Sequence, residues 1–184
     1  MTIDATEARR AFAAAELIYD TAAVEQALDR MAQAIDQRLP ERDPLVLVVM
    51  NGGLIPAGLL LPRLHFPLQL DYIHATRYRK RTFGDELHWK KAPDEALEGR
   101  TLLVIDDILD EGYTLEAILE HCRRAGAREV LSAVLIEKAH DRGNGLHADF
   151  TGLVAPDRYL FGYGMDYKGY WRNAPGIYAI DEAT

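Results

Sequence analysis

Three carboxylates fall close together at Asp106, Asp107 and Asp110, directly after the apolar run Thr101–Ile105, and Glu111-Gly112-Tyr113-Thr114 follows them. This order brings two kinds of chemistry to one place. A turn leading into a helix exposes backbone N–H groups, and the helix N-terminus favours an anion, so a phosphate fits there. Thr114 adds a hydroxyl and is placed to cap the helix. The acidic pair is kept from the phosphate by its own charge and suits sugar hydroxyls, or a magnesium ion held through water. A lone Asp-Asp pair would need no more explanation than an acidic loop before a capped helix. The whole succession of strand, acids, turn, glycine and threonine points instead to a sugar phosphate. Receiver-type phosphoacceptor pockets also place paired acids after a strand, but after the first strand, whereas this pair lies mid-chain.

Other segments carry weaker signals. Asn51-Gly52-Gly53 closes the apolar run Leu45–Met50, and glycines at a strand end permit close approach of a ligand. Thr76-Arg77-Tyr78 lies in the long polar stretch Ala75–Gly99, a length typical of a lid or functional loop, with room for a short hairpin around Glu86–Lys90. Arg77, Arg79, Lys80 and Arg81, with Lys90 and Lys91 beyond, could serve a small polyanion or simply be solvated. Lys138 closes the apolar strand from Val130. Tyr159, Phe161 and Tyr163 alternate as in a strand, which by default means packing. His74, His140 and His147 show no metal-ligand spacing and read as surface or structural. Cys122, between His121 and Arg123 on an expected helix, is a plain helical cysteine.

The elements that must hold these residues alternate. Glu16–Tyr19 reads as a short strand, after an alanine-rich helical or frayed start. Asp20 or Thr21 caps a helix to about Leu39, with Val24, Leu28, Met31 and Ile35 at spacings of three and four. Leu45–Met50, Thr101–Ile105 and Val130–Ile136 read as strands buried on both faces, and Leu68–His74 as a further strand. Between them come helices Ile55–Leu64, with Pro56 in its first turn, and Thr114–Arg124, stopped by Gly126. This is an α/β chain, a mostly parallel sheet with helices on both faces. Ligands of such sheets gather at the carboxyl ends of strands, which selects 51–53, 74–79, 106–114 and 137–140.

The 184 residues suffice for one domain. Hydrophobic content of 48% with 27% charged residues fits a folded globular chain and argues against disorder. A net charge of −8 weighs against nucleic acid as the main partner. The apolar runs are too short for a membrane span, and Glu7, Arg9, Arg10 and Glu16 break up any export signal. The single cysteine fits a reducing compartment, so a cytoplasmic location is expected. There is neither a GxxxxGK[ST] loop nor a GxGxxG after a strand.

The stretch VIDDILDEGYT, together with GYGMDYKGYWR further on, resembles the purine phosphoribosyltransferase family in its hypoxanthine-guanine branch, with similarity from about Glu16 to Ile180. The resemblance implies a type I phosphoribosyltransferase fold in a single domain over 1–184. Its core would span about 40–155, with a small hood from about 1–20 and 156–184. It implies transfer of a phosphoribosyl group from phosphoribosyl pyrophosphate to a 6-oxopurine, with magnesium, in a homodimer or homotetramer. Asp106 and Asp107 would contact ribose hydroxyls, Asp110 would sit near purine N7 as general base or proton partner, and Glu111, Gly112, Tyr113 and Thr114 would wrap the 5′-phosphate. Lys138 would donate to purine O6, Tyr159 would stack on the base, and Leu160 backbone would read its edge. Asn51 and Gly52 would bind pyrophosphate through a cis peptide at Asn51–Gly52, joined by Arg172. Asp166, with Asp106 and Asp107, would hold magnesium, and Arg77 and Tyr78 would belong to a closing lid. Asn51, Arg77 and Glu111 depart from the family's usual Lys or Arg, Ser, and Thr or Ser, and Glu111 is expected to point outward from the phosphate. A regulatory protein of this fold, binding RNA or a nucleotide without turnover, is the alternative.

Overall fold

The structure, a computed structural model, describes residues 3–77 and 87–181. Asp4 starts α1 (Ala5–Ala14) by accepting from the Thr6 and Glu7 N–H groups at 2.8 Å. Strand β1 (Glu16–Asp20) follows, and Asp20 caps α2 (Thr21–Arg38) through the Ala23 N–H at 2.8 Å. The expected three-and-four spacing sets the buried stripe of α2, including Val24, Leu28, Met31 and Ile35. Strand β2 (Leu45–Val49) is buried throughout. Helix α3 (Leu54–Leu60) is shorter than expected, and the chain tightens into a 3₁₀ turn at Leu61–Arg63, where Pro62 interrupts the α-helical bonds.

Beyond it run β3 (Gln69–Arg77), β4 (Leu87–Lys91), β5 (Thr101–Leu109), α4 (Tyr113–Arg124), β6 (Glu129–Ala139), β7 (Phe150–Pro156), β8 (Tyr159–Phe161) and β9 (Gly176–Ile180). Six strands form one sheet in the order β4-β3-β2-β5-β6-β7, in which only the edge strand β4 is antiparallel. In place of a separate short hairpin around Glu86–Lys90, Leu87–Lys91 forms one strand that pairs with β3, and Glu86 lies outside the described residues. A second, antiparallel sheet, β1-β9-β8, joins the two ends of the described chain.

Alternate side chains of the central strands enter two cores. Val46, Val48, Leu103 and Ile105 pack with α2 and α3, while Leu45, Leu47, Leu102 and Val104 pack with α4 on the opposite face. Covered on both faces, these strands need apolar residues at every position, hence their unbroken runs. Gly126 ends α4 with φ +85, the left-handed cap expected of it.

Two differences bear on function. Strands β5 and β6 both run past their apolar stretches, because their pairing continues through Asp106↔Val134, Ile108↔Ile136 and Leu109↔Glu137. Asp106 and Asp107 therefore sit on a strand rather than in the loop behind it. Strand β7 lacks a continuous apolar run, since one of its faces is more open and Val154 is exposed.

Candidate active site

Sheet order brings a first group of chemistry-bearing residues together. Strands β3, β2, β5 and β6 are neighbours and parallel, so their carboxyl ends form one rim. Across the β2–β5 junction the turn at 51–53 faces Asp107. A Cβ on Gly52 would lie 2.2 Å from Asp107 Oδ2, so glycine here is a condition of close approach. Gly52→Ala should therefore displace the Asp107 carboxylate and cost about 1–3 kcal/mol of stability. A thermal melt beside an activity assay checks this, and an unchanged melting temperature would contradict it.

The non-proline cis bond lies at Met50–Asn51, one residue before the expected Asn51–Gly52. The reversal begins immediately: Met50 N–H still donates to Ile73 O at 2.7 Å, and Gly53 N–H already returns to Val49 O at 2.8 Å. Asn51 itself is exposed. Arg77 closes β3, and Tyr78 lies outside the described residues.

Across the β5–β6 junction stands Asp110, with Lys138 almost level with it in the register. Lys138 Nζ donates to Asp110 Oδ2 at 2.8 Å and lies 3.7 Å from Asp157 Oδ1, with its side chain only 9% exposed. His140 Nε2 meets Asp110 Oδ1 at 2.8 Å, and Arg142 Nη2 lies 3.3 Å from the same oxygen. Arg142 also grips Asp157 through Nε at 2.8 Å and approaches Glu111 Oε1 at 3.4 Å. Burial works to raise the Asp110 pKa, but the hydrogen bonds from Lys138 and His140 outweigh it and hold the carboxyl below its ordinary value.

His140, expected to be surface or structural, is largely buried and bonds Asp110. Glu111 lines both cavities, and its carboxylate pairs with Arg142. One sequence expectation fails: Thr114 does not cap α4, which starts one residue earlier. Gly112, at φ +83, makes the turn, and no side chain caps the helix among the described residues. Arg142 and Asp157 were missed altogether. Their signal was available, because Lys138, His140 and Arg142 repeat every second residue and so continue the strand's side-chain direction past its end.

Two adjoining cavities result. One, of about 680 Å³, is lined by Asp107, Asp110, Lys138, Tyr159, Leu160 and Asp166 among others. The second, of about 590 Å³, is lined by residues 106–115 and Arg142, and so contains Asp106, Gly112, Tyr113 and Thr114. The Tyr159 ring stands edge-on to Tyr167 at 5.5 Å, and Leu160 is held in the second sheet opposite Ala179. Arg172 pairs with Asp166 and donates to Gly164 O at 2.6 Å. Burial, and then the neighbouring Asp107 charge, push the Asp106 pKa well up; burial also pushes up Asp107.

A parallel sheet whose strand ends gather carboxylates, cations and a helix N-terminus without a side-chain cap has the chemistry to take an anionic sugar ligand. Residues 14–168 match the phosphoribosyl transferase domain, and the chain belongs to that family. Within it, the chain falls in the hypoxanthine-guanine branch. The hypoxanthine-guanine phosphoribosyltransferase of Bacillus subtilis is 32% identical over 142 residues, which cover 77% of this chain and 79% of that one. The hypoxanthine-guanine-xanthine phosphoribosyltransferase of Tritrichomonas foetus is 26% identical over 169 residues, 91% of this chain and 92% of that one. A solved hypoxanthine-guanine-xanthine phosphoribosyltransferase structure has a TM-score of 0.82 at 25% identity, covering 91% of this chain and 97% of that one. A hypoxanthine phosphoribosyltransferase structure from Staphylococcus aureus has a TM-score of 0.85 at 22% identity, covering 90% and 91%, a likeness of fold.

Proposed function

We propose that the chain transfers the phosphoribosyl group of phosphoribosyl pyrophosphate to N9 of a 6-oxopurine, releasing pyrophosphate and giving a nucleoside monophosphate for purine salvage. The observation that carries this reading is Asp110 held by Lys138 between two cavities, one with a base-sized, aromatic-edged wall and one at the α4 N-terminus. In this reading the N–H groups after Gly112 seat the 5′-phosphate, and Asp106 and Asp107 receive the ribose hydroxyls. Tyr159 stacks on the purine, backbone at Leu160 meets its edge, and Asp110 takes the proton at N7 as N9 attacks C1. Asn51, Gly52 and Arg172 hold the departing pyrophosphate, and Arg77 belongs to a lid that excludes water from the cationic sugar. The second sheet serves as a hood over a core of about 40–155.

Magnesium fits part of the expected donor set. Asp106, Asp107 and Asp166 offer only carboxylate oxygens, the chemistry a hard cation takes. Burial, joined at Asp106 by the neighbouring Asp107 charge, raises the pKa of both carboxyls, and a cation beside them would favour their ionised form. Asp166 is committed to Arg172 and to the Gly169 N–H at 2.6 Å, so it fits less well. The ion would supply charge neutralisation to the leaving pyrophosphate.

Mixing the protein with phosphoribosyl pyrophosphate, magnesium and each of hypoxanthine, guanine, xanthine and adenine, with absorbance as readout, tests the reading. Turnover of 6-oxopurines alone is expected; no turnover with any base would leave the regulatory reading. Glu111 adds a prediction. Glu111 lines the cavity at the α4 N-terminus and brings a negative charge to it, so Glu111→Thr should lower the KM for phosphoribosyl pyrophosphate by about tenfold. An unchanged or higher KM would mean that the Arg142 charge fully masks it. We further propose a homodimer or homotetramer in the cytoplasm, which light scattering and fractionation would check. No helix among the described residues is long and apolar enough to cross a membrane.

A further inference from the structure

His140 has no part in the roles proposed above, yet it is built into the site. It lies one residue beyond β6, its side chain is 8% exposed, and its Nε2 meets Asp110 Oδ1 at 2.8 Å. An ionised carboxylate only accepts, so the hydrogen of this contact sits on Nε2. The opposite nitrogen, Nδ1, is buried and meets no partner among the described residues. A hydrogen placed there would be a stranded donor, so the pocket favours the tautomer that donates to Asp110.

The other donors to Asp110 have rival acceptors. Lys138 Nζ is also 3.7 Å from Asp157, and Arg142 is shared among Asp110, Asp157 and Glu111. A purine carbonyl entering the larger cavity would compete for Lys138 in the same way. His140 Nε2 bonds Asp110 and pairs within 4.0 Å with no other carboxylate among the described residues, and its Nδ1 meets no partner, so no rival acceptor would draw this contact away when a base arrives. Asp110, His140 and Asp157 each offer an atom within 4.8 Å of the others, a spacing that could bracket a cation. Lys138 and Arg142 already bring positive charge into that space, which argues for a fixed donor instead.

We infer that His140 is a positioning residue that keeps the Asp110 carboxylate aimed at the purine after Lys138 turns to the base. The inference rests on Asp110 being the base of the proposed reaction. The charged and titratable groups facing Asp110 are Lys138 from β6, His140 and Arg142 from the segment after it, Asp157 from the turn before β8, and its neighbour Glu111.

Steady-state kinetics against pH, on the full chain with phosphoribosyl pyrophosphate, magnesium and hypoxanthine, test it with three variants. His140→Phe fills the space without a donor, His140→Gln keeps an amide N–H at similar reach, and Asp110→Asn serves as the reference. His140→Phe should lower kcat by about tenfold, the worth of one charge-assisted bond. The KM for phosphoribosyl pyrophosphate should change by less than about threefold. Its acidic limb should move upward, because a hydrogen bond that lowers the Asp110 pKa is gone. His140→Gln should restore both. If His140→Phe keeps wild-type kcat and limb while Asp110→Asn loses activity, the role of His140 is overturned and that of Asp110 stands. Falls in kcat and melting temperature that Gln does not reverse would equally overturn it, by making His140 structural. Wild-type turnover in Asp110→Asn would remove the base itself, and the inference with it.

Discussion

Replacing Asp110 by asparagine should lower turnover by about 10²–10⁴ while leaving the fold intact, the loss expected when a general base is removed. The substitution is nearly isosteric, and its carbonyl oxygen still accepts from Lys138 or His140, so packing is kept. What disappears is the ability to take a proton. The surroundings of Asp110 suit it to that task in one respect: burial opposes ionisation, but Lys138, His140 and Arg142 more than offset it, so the group is ionised throughout the neutral range. The sign of the linked stability follows. With a folded-state pKa below the unfolded one, the contribution is fully present above the ordinary carboxylate range and is lost as pH falls through the lowered value. Asp110→Asn should therefore flatten the acid side of the pH–stability curve as well as lower turnover. Pre-steady-state measurement of nucleotide formation, beside melts from pH 3 to 7, separates the two effects. Near-wild-type formation of nucleotide would transfer the proton to another group.

Much of this site was legible before the fold was known, and the division between what could and could not be read has a physical basis. Apolar runs such as Leu45–Val49 and Leu102–Ile105 announce doubly covered strands because burial on both faces leaves no polar position. The rule that ligands gather at the carboxyl ends of parallel strands then selects Gly52, Asp106, Asp110 and Lys138 without any coordinate. Three things escape such reading. The end of a strand is set by its partner, so β5 continues through Asp106 and Asp107 only because β6 runs beside it. Strand β9 was not recognised, since its place depends on pairing with β1 and β8 rather than on its own composition. Most consequential is the set Lys138, His140, Arg142 and Asp157. Each alone is an ordinary polar residue at the end of an element. Only the packing of the β7–β8 turn beside the segment after β6 turns them into a charge network around Asp110.

That network makes Lys138 the residue at which base selection should be lost. Its ammonium is almost excluded from solvent, fixed at 2.8 Å from Asp110, and offers hydrogens but no lone pair. A 6-oxo group facing it accepts. The amino group of adenine would set donor against donor and leave the buried ammonium partly unpaired, and a site of this kind rejects the wrong partner by roughly 10⁴ or more. Lys138→Gln keeps length and some donor capacity but adds a carbonyl that accepts from an amino group. Catalytic efficiency with hypoxanthine should fall by about 10²-fold, while that with adenine stays level or rises, so the ratio between them collapses. The same change removes one of the cations that hold Asp110 ionised, and its pKa should rise toward the ordinary value, drawing the acidic limb upward for both bases. The two consequences are separable, because the pH effect is common to hypoxanthine and adenine whereas the specificity effect is their ratio at a fixed pH. A variant with a shifted limb and an unchanged ratio would make Lys138 the keeper of the Asp110 charge alone, and would move base recognition to the backbone around Leu160.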